Sequence, residues 1–208
     1  SLTEKLSGKN FNPIRGSNSG KCVRQIAYAY HGYQGEPIKA RGQMVFRLGN
    51  LVEQDMVDVC KEIKELNLRD EQKEVSVEID GHKIEGHIDG IVTIKNSYEE
   101  ELDAIVDFKS CSDFAFKDAE KGHVDKSYIA QMHFYMKALN MDLAILVYYK
   151  KHTSHLCEVL IHWDDAVWAE IDWRFSTVFQ STKECLPEGE YFANEKGNLP
   201  WQCSYCSY

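Results

Sequence analysis

The sequence predicts an α/β fold with a central mixed β-sheet flanked by helices. Three observations predict it. Val75, Val77 and Ile79 alternate with polar residues, the two-residue period of a half-buried strand. Between Gln43 and Leu66, apolar residues recur at helical spacing. The two kinds of segment alternate in the order helix, three strands, helix, two strands, helix, which packs helices against a sheet.

The elements follow in order. Residues 1–20 are rich in Ser, Gly and Asn and read as an irregular arm. Lys21 to Tyr30 suits a short helix, and Gly32 to Arg41 a loop. In the long helix that follows, Val45, Leu48, Val52, Met56, Val59 and Ile63 make the apolar stripe, with Glu53 at its edge. Asp80-Gly81 is a hairpin turn between the Val75–Ile79 strand and a return strand from Lys83 to Ile94 that carries Asp89. An acidic loop, Tyr98 to Leu102, leads to a strand containing Asp107 and Lys109. Phe114 to Lys126 reads as a charged connection, Tyr128 to Leu139 as a helix, and 144–149 and 156–162 as strands. Asp164 is an N-cap for a helix reaching Cys185. The expected organisation is one domain over residues 1–208, with an N-terminal arm (1–42) and a C-terminal tail (186–208).

A chain of 208 residues can bury a sizeable core, and 43% hydrophobic with 27% charged residues is ordinary for a globular protein. No apolar run approaches the roughly 20 residues that span a bilayer. The start, Ser1-Leu2-Thr3-Glu4-Lys5, lacks the shape of a secretory signal, so a cytoplasmic location is expected, in a bacterial, archaeal or phage-infected host cell. The net charge of −9 opposes a generally basic nucleic-acid binder, yet residues 1–50 carry +6 and the remainder −15. A basic arm beside an acidic body suits a phosphate-contacting entry to a metal-binding interior; a solvated charged surface gives the same asymmetry.

The segment Val106-Asp107-Phe108-Lys109-Ser110 carries the chemistry. Side chains alternate on a strand, so Asp107 and Lys109 share one face and Val106 and Phe108 the other. Asp89, on the preceding strand, adds a second carboxylate. Carboxylates suit Mg²⁺ or Mn²⁺, which activates phosphodiesters towards water, while a lysine orients that water or balances developing charge. Taken alone, Asp-x-Lys equally describes a surface ion pair. Glu53, at the border of an apolar stripe, calls for a partner or a metal. Gln131 and Tyr135, at i and i+4, share a helix face and can bond phosphate or support the lysine.

Taken in order, Gly49-x-x-x-Glu53, Gly86-His87-Ile88-Asp89-Gly90, Val106-Asp107-Phe108-Lys109-Ser110 and Gln131-x-x-x-Tyr135 resemble the PD-(D/E)xK nuclease superfamily. The likeness is greatest to its RecB-like branch, which includes phage exonucleases and the CRISPR-adaptation nucleases. Glu53 stands where many RecB-like members have His. The resemblance implies a restriction-endonuclease-like core. It implies metal binding by Asp89, Asp107 and Glu53, with the Phe108 carbonyl facing the metal, and Lys109 as catalytic lysine. Gln131 and Tyr135 would position substrate or support Lys109.

The resemblance extends to cysteines. Ser19-Gly20-Lys21-Cys22-Val23-Arg24 is similar to the N-terminal motif of iron–sulfur members, in which an early cysteine joins a C-terminal CxxC and one more cysteine. Cys22, Cys203 and Cys206 match three of the four ligands of a [4Fe–4S] cluster; Cys185 does not match the spacing of the fourth. Zinc, or no metal, is the alternative. Cys60, Cys111 and Cys157 read as small core hydrophobes. Arg15, Lys21 and Arg24 are candidate DNA-backbone contacts, or solvated cations. His87, His123 and His133 read as structural or solvent-facing, and Trp163, Trp168, Trp173 and Trp201 as core or edge packing.

The functional expectation is a Mg²⁺- or Mn²⁺-dependent DNA nuclease, an exonuclease on single-stranded or end-bearing DNA. Its setting would be recombination, repair, or phage or CRISPR DNA processing, with partner proteins of recombination or CRISPR adaptation. The alternative is a non-catalytic DNA-binding scaffold that keeps the fold.

Overall fold

The structure is a computed structural model that describes residues 14–208. The first 13 residues of the expected arm lie outside the described residues. From Ile14 the chain makes a short 3₁₀ turn (Gly16–Asn18), then α1 (Val23–Tyr30), α2 (Ala40–Glu62), β1 (Glu74–Ile79), β2 (His82–His87), β3 (Gly90–Lys95) and β4 (Glu101–Cys111). There follow α3 (Asp113–Ala119), α4 (Lys126–Leu139), β5 (Leu143–Lys150), β6 (Leu156–His162) and α5 (Asp165–Gln180).

The central sheet has four strands in the order β3-β4-β5-β6. β4 and β5 are parallel and the other neighbours antiparallel, so the sheet is mixed as expected. A parallel pair needs a crossover, which α3 and α4 supply. One sheet face packs Ile105, Leu146 and Tyr148 against Met132, Phe134 and Met136 of α4, with α1 and α5 outside them. The other face packs Val92, Val106, Phe108 and Val147 against Met56, Val57 and Cys60 of α2.

The expected return strand from Lys83 to Ile94 is two strands. β2 pairs with β1 in a separate hairpin, whereas β3 pairs with β4 in the central sheet. Ile88 and Asp89 form the break between them. The hairpin turn is where the sequence put it: Asp80 and Gly81 both take positive φ, 49° and 75°, the geometry of a type I′ turn.

Three further readings need correction. The apolar stripe of α2 does not describe its buried face. Val45 and Leu48 are exposed because the N-terminal half of the helix does not reach the sheet; in the C-terminal half Met56, Val57 and Cys60 are buried, while Val59, at the edge of that face, and Ile63, past the helix end, are exposed. The charged connection contains α3, whose N-cap Ser112 accepts a hydrogen bond from Ala115 N–H. Asp164 caps α5 as expected, accepting from Ala166 N–H at 2.8 Å, but the helix ends at Gln180 rather than Cys185. Ser181 turns extended there and donates its hydroxyl to Val178 O at 2.7 Å, satisfying one terminal carbonyl.

The tail folds back on the start of the chain. Glu190 Oε2 accepts from Val23 N–H at 2.6 Å, so a residue 167 positions away caps α1. Arg174 holds Glu190 at 2.6 Å and donates to Ser19 O at 3.1 Å. Tyr208 stacks on Tyr28, with centroids 5.3 Å apart. Among the described residues, no helix is long and apolar enough to cross a membrane.

Candidate active site

β4 positions the pair that the sequence singled out. Its register against β5 puts Asp107 opposite Leu146 and Lys109 opposite Tyr148, both turned to the α4 side. Asp107 is buried at 1% exposure. Its Oδ2 forms a 2.5 Å ion pair with Lys109 Nζ, and apart from that pair it has no hydrogen-bond partner. Its Oδ1 accepts from Gln131 Nε2 at 3.0 Å. Gln131 also donates to Tyr135 OH at 3.2 Å, so the i and i+4 residues of α4 act as one buried bracket on the carboxylate.

Asp89 arrives from the break between β2 and β3. There the chain leaves one sheet for another, and the acid is free of ladder pairing. Its Oδ2 accepts from Phe108 N–H at 2.8 Å, which ties it to β4 beside Asp107. Gly86 and Gly90 allow this approach. A Cβ at Gly86 would stand 2.7 Å from the Tyr135 ring, and one at Gly90 2.6 Å from Leu68. Glu53 reaches the same place from α2 on the opposite face of the sheet. Gln72 Nε2 donates to its Oε1 at 2.8 Å.

The charge balance is unfavourable without a cation. Burial, followed by repulsion from Asp107 and Glu53, pushes Asp89 up to about 8, against the opposing pull of Phe108 N–H and Lys109. Burial, followed by Asp107, also raises Glu53, with Gln72 resisting. Burial works to lower Lys109, but Asp107 overcomes it and holds the ammonium charged. Burial, followed by the Asp107 charge, pushes Tyr135 up to about 12, so its hydroxyl stays protonated. Three carboxylates thus face one lysine, and the buried Asp107 Oδ2 has that lysine as its one partner among the described residues. An oxygen-only donor set with a missing positive charge fits a hard divalent cation. In the present arrangement each acid is bonded to protein, and no group of three or more His, Cys, Asp or Glu is disposed to hold a metal among the described residues.

Two contacts of the site went unread in the sequence. Gln72, the partner of Glu53, sits in the loop before β1 with a positive φ of 50°. No local pattern marks it. Tyr128 places its ring 5.1 Å from Lys109 Nζ, a cation–π contact. Its spacing to Gln131 and Tyr135, i, i+3 and i+7, was a usable signal.

The remaining candidates lie apart from this group. Cys22, Cys203 and Cys206 are half-buried free thiols without a metal-holding arrangement. Cys60 and Cys111 are buried and Cys157 half-buried, with burial raising each thiol, as suits core residues. Arg24 stacks on Tyr28, 5.5 Å from its centroid, and bonds its hydroxyl. Arg15 is exposed and Lys21 half-buried. His133 is structural, joining Ile129 O at 2.8 Å and accepting from Asp164 N–H at 3.0 Å, which fixes the Nδ1–H tautomer. His87 and His123 are exposed. Trp163 and Trp168 stack at 6.1 Å, whereas Trp173 and Trp201 are 54% and 59% exposed and do not belong to the core.

Comparison of the sequence with family models gives no match, and comparison with curated proteins gives none. Among solved structures, SSO0001 is similar with a TM-score of 0.53 at 18% identity, over 98% of this chain and 87% of that one. An alkaline exonuclease from Laribacter hongkongensis, LHK-Exo, gives 0.48 at 18% identity, over 76% of this chain and 75% of its own. A phage-related exonuclease from Haemophilus somnus 129PT gives 0.46 at 18% identity, over 75% and 77%. The structural neighbours thus include exonucleases, and the chain shares the mixed α/β fold of SSO0001 over nearly its full described length.

Proposed function

We propose that the chain is a metal-dependent DNA nuclease of the PD-(D/E)xK kind, acting as an exonuclease on single-stranded or end-bearing DNA. The observation that carries this reading is the convergence of Glu53, Asp89 and Asp107 on one lysine, with Asp107 Oδ2 held by that lysine alone. Asp89, Asp107, Glu53 and the Phe108 carbonyl would hold Mg²⁺ or Mn²⁺, which supplies Lewis-acid activation of phosphate and water.

The chain's own groups do the rest. Gln131 fixes Asp107 through Oδ1 and leaves Oδ2 facing the site. Lys109 Nζ, charged and paired with Asp107, can orient a water or meet charge developing on the phosphate. The Tyr128 ring, 5.1 Å from that ammonium, helps to hold it in place. Tyr135 OH remains a hydrogen-bond donor throughout, because its proton is held well above neutral pH.

The [4Fe–4S] or zinc centre expected at Cys22, Cys203 and Cys206 has three thiols and no fourth, and the described residues do not group them to hold a metal, so they do not fit the cluster and no step of the reaction runs through it. Iron and sulfide content of the anaerobically purified protein tests it: no iron and no sulfide excludes the cluster.

The nuclease reading is tested with end-labelled single- and double-stranded DNA in Mn²⁺ and in EDTA. Wild type degrades DNA only with metal, and Asp107→Ala and Lys109→Ala each lose about 10³-fold or more in rate while staying folded. Undiminished cleavage by both variants overturns the proposal. Metal-independent DNA binding with no cleavage under any condition assigns the scaffold role instead.

A further inference from the structure

Helix α2 extends beyond the carboxylates. Gly42, Phe46, Gly49 and Glu53 fall at spacings of four, three and four, so they lie on one helix face. Glu53 ends that face at the site. Gly49 passes β4 where a Cβ would stand 3.9 Å from Ser110 Oγ, beside Lys109. Phe46 comes next, seven residues before Glu53, or about 10 Å along the axis. It is 57% exposed, an uncommon position for a side chain whose burial is worth about 1.5–3 kcal/mol.

The charge of this segment is the reverse of the chain's. Between Glu36 and Glu53 there is no acidic residue, and Lys39, Arg41 and Arg47 are present, in a protein of net charge −9. Lys39, two turns before Phe46 on its face, and Arg47, next to it, are both exposed. An exposed ring flanked by cations is the chemistry that grips unpaired nucleic acid, the ring taking a base and the cations its backbone. A duplex keeps its interior bases stacked on one another and offers such a ring only the outer face of its terminal pair, whereas every base of an unpaired strand is available to it. Met44, Val45, Leu48 and Leu51 are exposed on the same half of the helix, but the run of cations without an acid and the continuity of the Phe46 face with the carboxylates favour a polyanion over a protein partner or a second copy.

We infer that Phe46 is a base-stacking platform for an unpaired DNA strand whose phosphate lies at Glu53, Asp89 and Asp107. Lys39, seven residues before Phe46 on the same face, and Arg47 beside it hold the backbone of that strand. At the stacked rise of about 3.4 Å, the base on Phe46 is at most about three nucleotides from the phosphate at the carboxylates, and fewer in an extended strand. This inference deepens the nuclease reading and rests on it for the position of the phosphate. It makes the unpaired strand the substrate form, with duplex ends acted on only after fraying.

The test uses the full chain in EDTA, with a labelled single-stranded oligo(dT) and a blunt duplex of the same length. A second oligonucleotide carries 2-aminopurine near its end, whose fluorescence is quenched on stacking. Phe46→Ala weakens single-strand binding about 5- to 100-fold, the size of one base–aromatic stack, and relieves the quenching. Phe46→Trp retains both. Leu51→Ala, on the opposite side of the helix and 68% exposed, changes neither. Circular dichroism confirms that each variant is folded. Unchanged binding by Phe46→Ala, or equal loss on single strand and duplex, overturns the inference. So does a wild-type dimer that Phe46→Ala dissociates, which would make a second copy the occupant. Cleavage in Mn²⁺ separates the two readings. No cleavage by wild type with Phe46-dependent binding retained defeats the nuclease and spares the platform; cleavage with a KM indifferent to Phe46 defeats the platform alone.

Discussion

Replacing Asp89 with Asn should stabilise the metal-free protein while abolishing its response to metal. The native carboxyl holds its proton up to about 8, because burial and the neighbouring Asp107 and Glu53 oppose its charge. In the unfolded chain the same group ionises near 4. Between these values the native state binds a proton that the unfolded state has released, so stability falls as pH rises through that window. Over the full window the cost approaches about 5 kcal/mol. The three carboxylates share the titration, so roughly half of it, about 2–3 kcal/mol, is expected to be recovered by the neutral side chain. Asn keeps an oxygen for the Phe108 N–H, so that bond survives. For a domain of this size the gain corresponds to a Tm rise of about 5–10 °C. The assay is urea unfolding in EDTA, followed by circular dichroism, at about pH 8 and about pH 4.5. The variant is more stable than wild type at the higher pH, and the gain shrinks below about 1 kcal/mol at the lower. Mn²⁺ stabilises wild type at pH 8 and leaves the variant unchanged. A variant less stable than wild type at pH 8, or an equal gain at both pH values, refutes the reasoning.

Gln72→Ala removes a side chain that bonds Glu53 and is expected to weaken Mn²⁺ binding about 10- to 100-fold without unfolding, measured by calorimetric titration. Tyr128→Leu removes the ring beside Lys109 and lowers kcat about 3- to 30-fold at unchanged KM, whereas Tyr128→Phe keeps the rate; steady-state cleavage of labelled DNA distinguishes them. Gly20→Ala drives a methyl group into the Ser127 backbone at the start of α4 and costs about 1–3 kcal/mol, read as a lower urea midpoint.

The site was legible where local geometry alone fixes direction. Alternation on a strand put Asp107 and Lys109 together, and the helical repeat put Gln131 with Tyr135. Both relations hold in any fold that keeps the two elements. The break at Asp89 left a trace in Asp89-Gly90, the same dipeptide that marks the turn at Asp80-Gly81, but only the pairing partners reveal that the two halves join different sheets. α2 failed for a related reason. Periodicity records that Val45 and Leu48 are apolar, but not that the sheet stops short of their half of the helix. The contact of Gln72 with Glu53 spans 19 residues and depends on a left-handed turn, so nothing in the local sequence encodes it. The seven-residue α3 is too short to present a periodic stripe, and its Ser112 cap is its clearest trace.

The bond from Val23 to Glu190 also has a consequence in time. A ribosome adds about 5–20 residues per second, so roughly ten to thirty seconds separate synthesis of the two partners. Throughout that interval the first helix lacks the acceptor for its leading amide, and Arg174 lacks the acid it clamps. Closure between such distant positions also slows folding after release. A nascent chain bearing all of its carboxylates therefore finishes folding only when its tail emerges. The order of synthesis itself delays the appearance of a competent protein.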